Sequence, residues 1–116
     1  MNFIIRILIT AAVAYGLTKV LSGVHISNFT SAILFAILLA VLNAFIKPIL
    51  VFLTLPITIV TLGLFLLVIN TLIILLSDKL MDSMVIDGFW WAMLFSILLS
   101  IITSILSGLF SNDRSR

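Results

Sequence analysis

The chain of 116 residues contains no cysteine, which excludes disulfides, a thiolate nucleophile and cysteine-ligated metal. Histidine occurs once, at His25, with no serine-and-carboxylate arrangement near it. No Gly-rich phosphate loop, nucleophile elbow or zinc signature occurs either. Catalysis, a metal centre and a bound cofactor are therefore not expected. Charge is almost as scarce: 9% of residues carry one, against about a quarter in soluble domains. The net charge of +2 is scattered rather than clustered, which excludes a nucleic-acid footprint.

What remains is apolar. Hydrophobic residues make up 64% of the chain and its mean hydropathy is +1.47. So few charges cannot cover a surface in water, so bilayer lipid has to be the solvent for most of the chain. The pattern predicts one all-α transmembrane domain over 1–116, with spans at about 3–21, 29–46, 57–77 and 89–110. Arg6 and the small residues Ala12-Val13-Ala14 mimic a signal peptide, but the apolar run continues through Tyr15, Leu17, Val20 and Leu21 and reads as a span. Phe89-Trp90-Trp91 opens the fourth span, at the depth where amphipathic rings settle. The polar tail at 111–116 is expected to fray.

The connection between the second and third spans is unusual. Pro48 suits the first turn of a new helix, and Pro56 ends or kinks one. Residues 49–55 between them are as apolar as a span yet too short to cross, which predicts an interfacial or re-entrant segment. Arg6, Lys47, Arg114 and Arg116 fall on one side of this scheme, Lys19 and Lys79 on the other with Asp78, Asp82 and Asp87. The positive-inside rule then places both termini in the cytoplasm.

An offset of 60 residues aligns 25–43 with 85–103. Identities fall at Ile26/Ile86, Phe29/Phe89, Ala32/Ala92, Leu34/Leu94, Phe35/Phe95, Ile37/Ile97, Leu38/Leu98 and Leu39/Leu99, eight of nineteen positions. Small residues match too: Ala32, Ala36, Ala40 and Ala44 align with Ala92, Ser96, Ser100 and Ser104, and Gly108 continues the series. Two tandem two-span repeats follow, related by an axis along the membrane normal. Small residues at every fourth position share a helix face and admit a close neighbour. The second and fourth spans are thus expected to pack closely, within a protomer or between copies. The hydroxyls of Ser96, Ser100, Thr103, Ser104 and Ser107 are expected to bond back to the carbonyls one turn earlier.

Asn43, Lys47 and Asn70 are polar groups at or within membrane depth, where they are costly and face protein or water. They predict an interhelical hydrogen bond and a snorkelling lysine, ahead of a transport site.

The stretch Asn43-Ala44-Phe45-Ile46-Lys47-Pro48, then Leu55-Pro56-Ile57-Thr58, Thr61-Leu62-Gly63-Leu64 and Asn70, with Gly88-Phe89-Trp90 later, resembles the bacterial four-span phage holin superfamily IV proteins. The resemblance covers nearly the whole chain and marks Asn43, Lys47, Pro48, Pro56, Gly63 and Asn70 as the family pattern. It implies a bacterial inner-membrane protein. Holins oligomerise there and open lesions that release a cell-wall hydrolase. The resulting expectation is a small holin-like protein that self-associates in the bilayer and forms pores, with a non-permeabilising envelope accessory or scaffold as the alternative. Its partners would be lipid, further copies of itself and other membrane proteins.

Overall fold

The computed structural model describes residues 2–115, and side chains as far as Leu109. Its elements are α1 (Phe3–Thr18), β1 (Val24–Ile26), α2 (Phe29–Phe45), α3 (Lys47–Leu53), α4 (Leu55–Val60), α5 (Phe65–Leu80), β2 (Met84–Ile86) and α6 (Phe89–Ser115). Six helices carry most of the chain. One of them, α6, is long and apolar enough over Phe89–Leu109 to cross a membrane by itself, and α2 with α3 forms an apolar pair bent by 40°. The helix α1 is apolar but shorter.

The expectation of an all-α chain needs correction, because the two polar connections form a small antiparallel ribbon. Val24 pairs with Ile86, His25 with Val85 and Ile26 with Met84. Within each strand the outer two residues are buried and the middle one is exposed, the period-two alternation of a half-buried strand. The Ser27 amide donates to the Ser83 carbonyl (3.0 Å) and the Asp87 amide to the Gly23 carbonyl (2.8 Å), closing the ribbon at both ends.

That register is symmetric. Residues 24–26 and 84–86 are sixty apart, and so are Ser27 and Asp87, Gly23 and Ser83; a half-turn about the His25/Val85 pair exchanges one strand with the other. Phe35 and Phe95, also sixty apart, meet with ring centroids 5.7 Å apart, both fully buried. Equivalent residues that touch lie beside the exchange axis, so the axis runs from the ribbon down between these rings. Packing obeys it. The pair α1 and α2 matches α5 and α6, and the crossing of α1 with α6 matches that of α5 with α2. The main partners of α2 and α6 are therefore α1 and α5, with the direct approach of α2 to α6 centred on the two phenylalanines.

Local chemistry sets the boundaries. Asn28 caps α2, its Oδ1 accepting from the Ser31 amide at 2.8 Å. The first helix stops at Thr18, short of the expected 21, and Leu21 is buried in the turn that leads to β1. Pro48 and Pro56 each stand in the first turn of a new short helix, where a missing N–H costs nothing. Where a third span is expected at 57–77, the chain forms the helix α5 at Phe65–Leu80, preceded by the separate short helix at Leu55–Val60. Leu62 (φ 57°) and Gly63 (φ 89°) turn the chain through left-handed backbone there. Glycine adopts that region freely, whereas Leu62 pays a steric cost of about 1–2 kcal/mol. Thr61 braces the turn, donating from Oγ1 to the Ile57 carbonyl (2.9 Å) and accepting from the Phe65 amide (3.2 Å). The last helix continues to Ser115 through the tail expected to fray; Arg114 lies beyond the described side chains and Arg116 beyond the described residues.

Candidate functional site

Each long helix has one end at the ribbon and one end away from it. At the distal end stand Arg6, in the first turn of α1; Asn43, near the end of α2; Lys47, opening α3; and Asn70, five residues into α5. At 1.5 Å per residue Asn70 lies about 7.5 Å along its helix. Residues far apart in sequence are thus collected at one end by the up-and-down topology.

Two adjoining cavities are built there. The smaller, about 80 Å³, is lined by Asn43, Lys47, Asn70, Ser96 and Ser100, with Leu39, Ile73, Ile74 and Leu99 as its apolar wall. The larger, about 340 Å³, lies between α1 and α2 and is lined by Arg6, Thr10 and Asn43 against Phe3, Ile7, Ala36, Leu39, Ala40 and Ala44. Asn43 and Leu39 belong to both. The cavities are related by the same sixty-residue offset: Thr10 answers to Asn70, Ala36 to Ser96, Leu39 to Leu99 and Ala40 to Ser100. The α5/α6 side carries the more polar member at three of these four positions.

Asn43, Lys47 and Asn70 are therefore brought together, as lining of one cavity. Among the described residues, none of their side chains makes a hydrogen bond or ion pair within the chain, and neither does Arg6; the only ion-pair contact is His25 Nε2 to Asp87 Oδ2 at 3.7 Å, exposed on the ribbon. The expected interhelical bond is not formed among the described residues; the three side chains line the cavity instead. Pro48, Pro56 and Gly63 shape the backbone beyond it. The short helices they delimit bury no residue, and Phe52, Val60 and Leu62 are 72%, 82% and 93% exposed.

The small-residue series divides. Ala32, Ala36, Ala92 and Ser96 are buried between helices, and Ala40 is half-buried, whereas Ala44, Ser100, Ser104 and Gly108 are exposed. Of the α6 hydroxyls expected to bond back, Thr103 does so, donating to the Leu99 carbonyl at 2.6 Å.

Arg6 and Thr10 as partners of Asn43 escape sequence reasoning, as do Ser96 and Ser100 in the role of cavity lining. One signal was present: Thr10 sits sixty residues before Asn70.

The family described as "Mycobacterial 4 TMS phage holin, superfamily IV" matches residues 1–105 of the 116. The chain belongs to this family. Among curated proteins, this holin-family chain is 41% identical to the uncharacterised membrane protein YvlD of Bacillus subtilis (strain 168), over 84% of its own length and 82% of the relative's. It is 44% identical to an uncharacterised protein of Streptomyces coelicolor, over 61% of its own length and 60% of that protein's. No solved structure matches it. The holin-family match covers every cavity residue above, and it makes the chain a membrane protein. Enzymatic activity has no positive support.

Proposed function

We propose that the chain crosses the bacterial cytoplasmic membrane four times, as two two-span repeats with both termini in the cytoplasm, and that it self-associates there and opens lesions as holins do. The spans are α1, α2, α5 and α6. At 16 or 17 residues, three of them measure about 24–26 Å, somewhat short of the ~30 Å hydrocarbon depth, a mismatch that local thinning of the bilayer accommodates; α6 is long enough unaided. The exchange axis then stands along the membrane normal, and the exposed apolar helices α3 and α4 lie at the cytoplasmic interface. By sequence position Arg6, Lys47, Arg114 and Arg116 fall on the distal side and only Lys19 and Lys79 on the ribbon side, and this excess of Lys and Arg supports that orientation.

Self-association rests on one observation: the second half of the α6 small-residue face, Ser100, Ser104 and Gly108, is uncovered within the chain. Small exposed residues at four-residue spacing admit the backbone of another helix in lipid. Leucine at Ser104 and Gly108 together is expected to cut chemical cross-linking between copies in membranes by at least fivefold. Cross-linking unchanged from the parent chain would remove this face from the contact.

The accessory or scaffold reading has its own observation. Asn70 and Ser96 face the chain's own cavity and are partly or fully buried, whereas lesion walls need polar groups between copies. Induced expression with a membrane-potential dye and an impermeant nucleic-acid stain separates the two. Lesion formation predicts collapse of the potential and dye entry; an intact potential at high expression leaves the scaffold reading.

A further inference from the structure

We infer that the two distal cavities together form a binding site for the phosphate headgroup of an anionic phospholipid. Arg6 and Lys47 line neighbouring cavities that share Asn43. Among the described side chains neither cavity includes a carboxylate, and Asp78, Asp82 and Asp87 belong to the ribbon end. Among the described side chains these two cations have no acidic partner and the amide and hydroxyl donors beside them make no hydrogen bond, an arrangement that matches an oxygen-rich anion. Arginine presents the planar fork suited to phosphate, and lysine a point charge.

The walls decide which anion. Phe3, Ile7, Leu39 and Ala40 line the larger cavity beside Arg6 and Thr10. A free phosphate has no use for that surface, whereas acyl chains leaving a headgroup do. The exposed apolar residues of α3 and α4 continue from Lys47, which places the mouth of the site where headgroup gives way to hydrocarbon. Neither cavity needs a second copy of the chain to be complete.

The test uses the full chain reconstituted in phosphatidylcholine bilayers doped with spin-labelled phosphatidylglycerol or spin-labelled phosphatidylcholine, reading the motionally restricted lipid fraction. The parent chain is expected to prefer phosphatidylglycerol, with about a fivefold loss of relative affinity for each cation removed by Arg6→Gln and Lys47→Gln. Arg6→Lys with Lys47→Arg should keep most of the preference, and Lys79→Gln at the ribbon end should keep all of it. Circular dichroism on each variant reports whether its helices persist. Equal restriction of the two lipids by the parent chain, or a preference surviving the double glutamine variant with helices intact, overturns the site. Displacement of the restricted lipid by millimolar inorganic phosphate overturns the lipid assignment in favour of a free-anion site.

Discussion

Phe35→Ala is expected to destabilise the chain by about 3 kcal/mol, read as the shift in SDS-induced unfolding of the protein in detergent micelles. Its ring is fully buried against Phe95, beside the axis that exchanges the two halves. Truncating a buried phenylalanine costs about 3–5 kcal/mol in water-soluble cores. In lipid the transfer part shrinks, since acyl chains are as apolar as the ring, so the lower end applies and the loss is mainly cavity and dispersion. Phe95→Ala should cost about the same. The double variant should cost less than the sum, because one shared contact is lost in all three. A shift below about 1 kcal/mol for either single variant would mean that the two rings do not meet.

Gly23→Ala ranks next, and for the opposite reason. A Cβ at Gly23 would run into the Trp91 ring carbons, so either the ribbon or the indole must move. Overpacking of this kind costs about 1–3 kcal/mol. The close fit is one-sided: the positions sixty residues away hold Ser83 and Ser31, two small residues in place of a glycine and a tryptophan. If the indole is what the methyl meets, Trp91→Leu should recover much of the stability lost by Gly23→Ala in the same unfolding assay. Equal stability of Gly23→Ala and the parent chain would show that the ribbon does not rest on Trp91.

Composition and periodicity carry the helices and the sixty-residue offset, because lipid-depth apolar runs and matched small residues are long signals. The ribbon is invisible by the same logic. Val24-His25-Ile26 and Met84-Val85-Ile86 are three residues each, too short for alternation to stand out from flanking serine, glycine and asparagine. What makes them strands is each other, fifty-eight to sixty-two residues away along the chain. Residues 57–60 look like the start of a span because they are apolar; the left-handed turn at Leu62 and Gly63 overrides hydropathy and begins α5 at Phe65.

The site divides along similar lines. Asn43, Lys47 and Asn70 stand out because polarity in an apolar run is conspicuous at any position. Ser96 and Ser100 share a helix face with small residues, so packing is the cheaper explanation until α5 brings Asn70 beside them. Arg6 near a chain end looks like a membrane anchor. Only the packing of α1 on α2 puts it in a cavity with Asn43.

The absence of native cysteine makes single-cysteine labelling clean. His25→Cys and Val85→Cys place a thiol on the exposed middle residue of each ribbon strand, and Asn2→Cys places one at the distal end. With a membrane-impermeant maleimide applied to intact cells, both ribbon thiols should label, and the Asn2→Cys thiol should label only after permeabilisation. Labelling of Asn2→Cys in intact cells, or protection of either ribbon thiol until the membrane is opened, would contradict four crossings with the ribbon outside and the cation-lined cavities within.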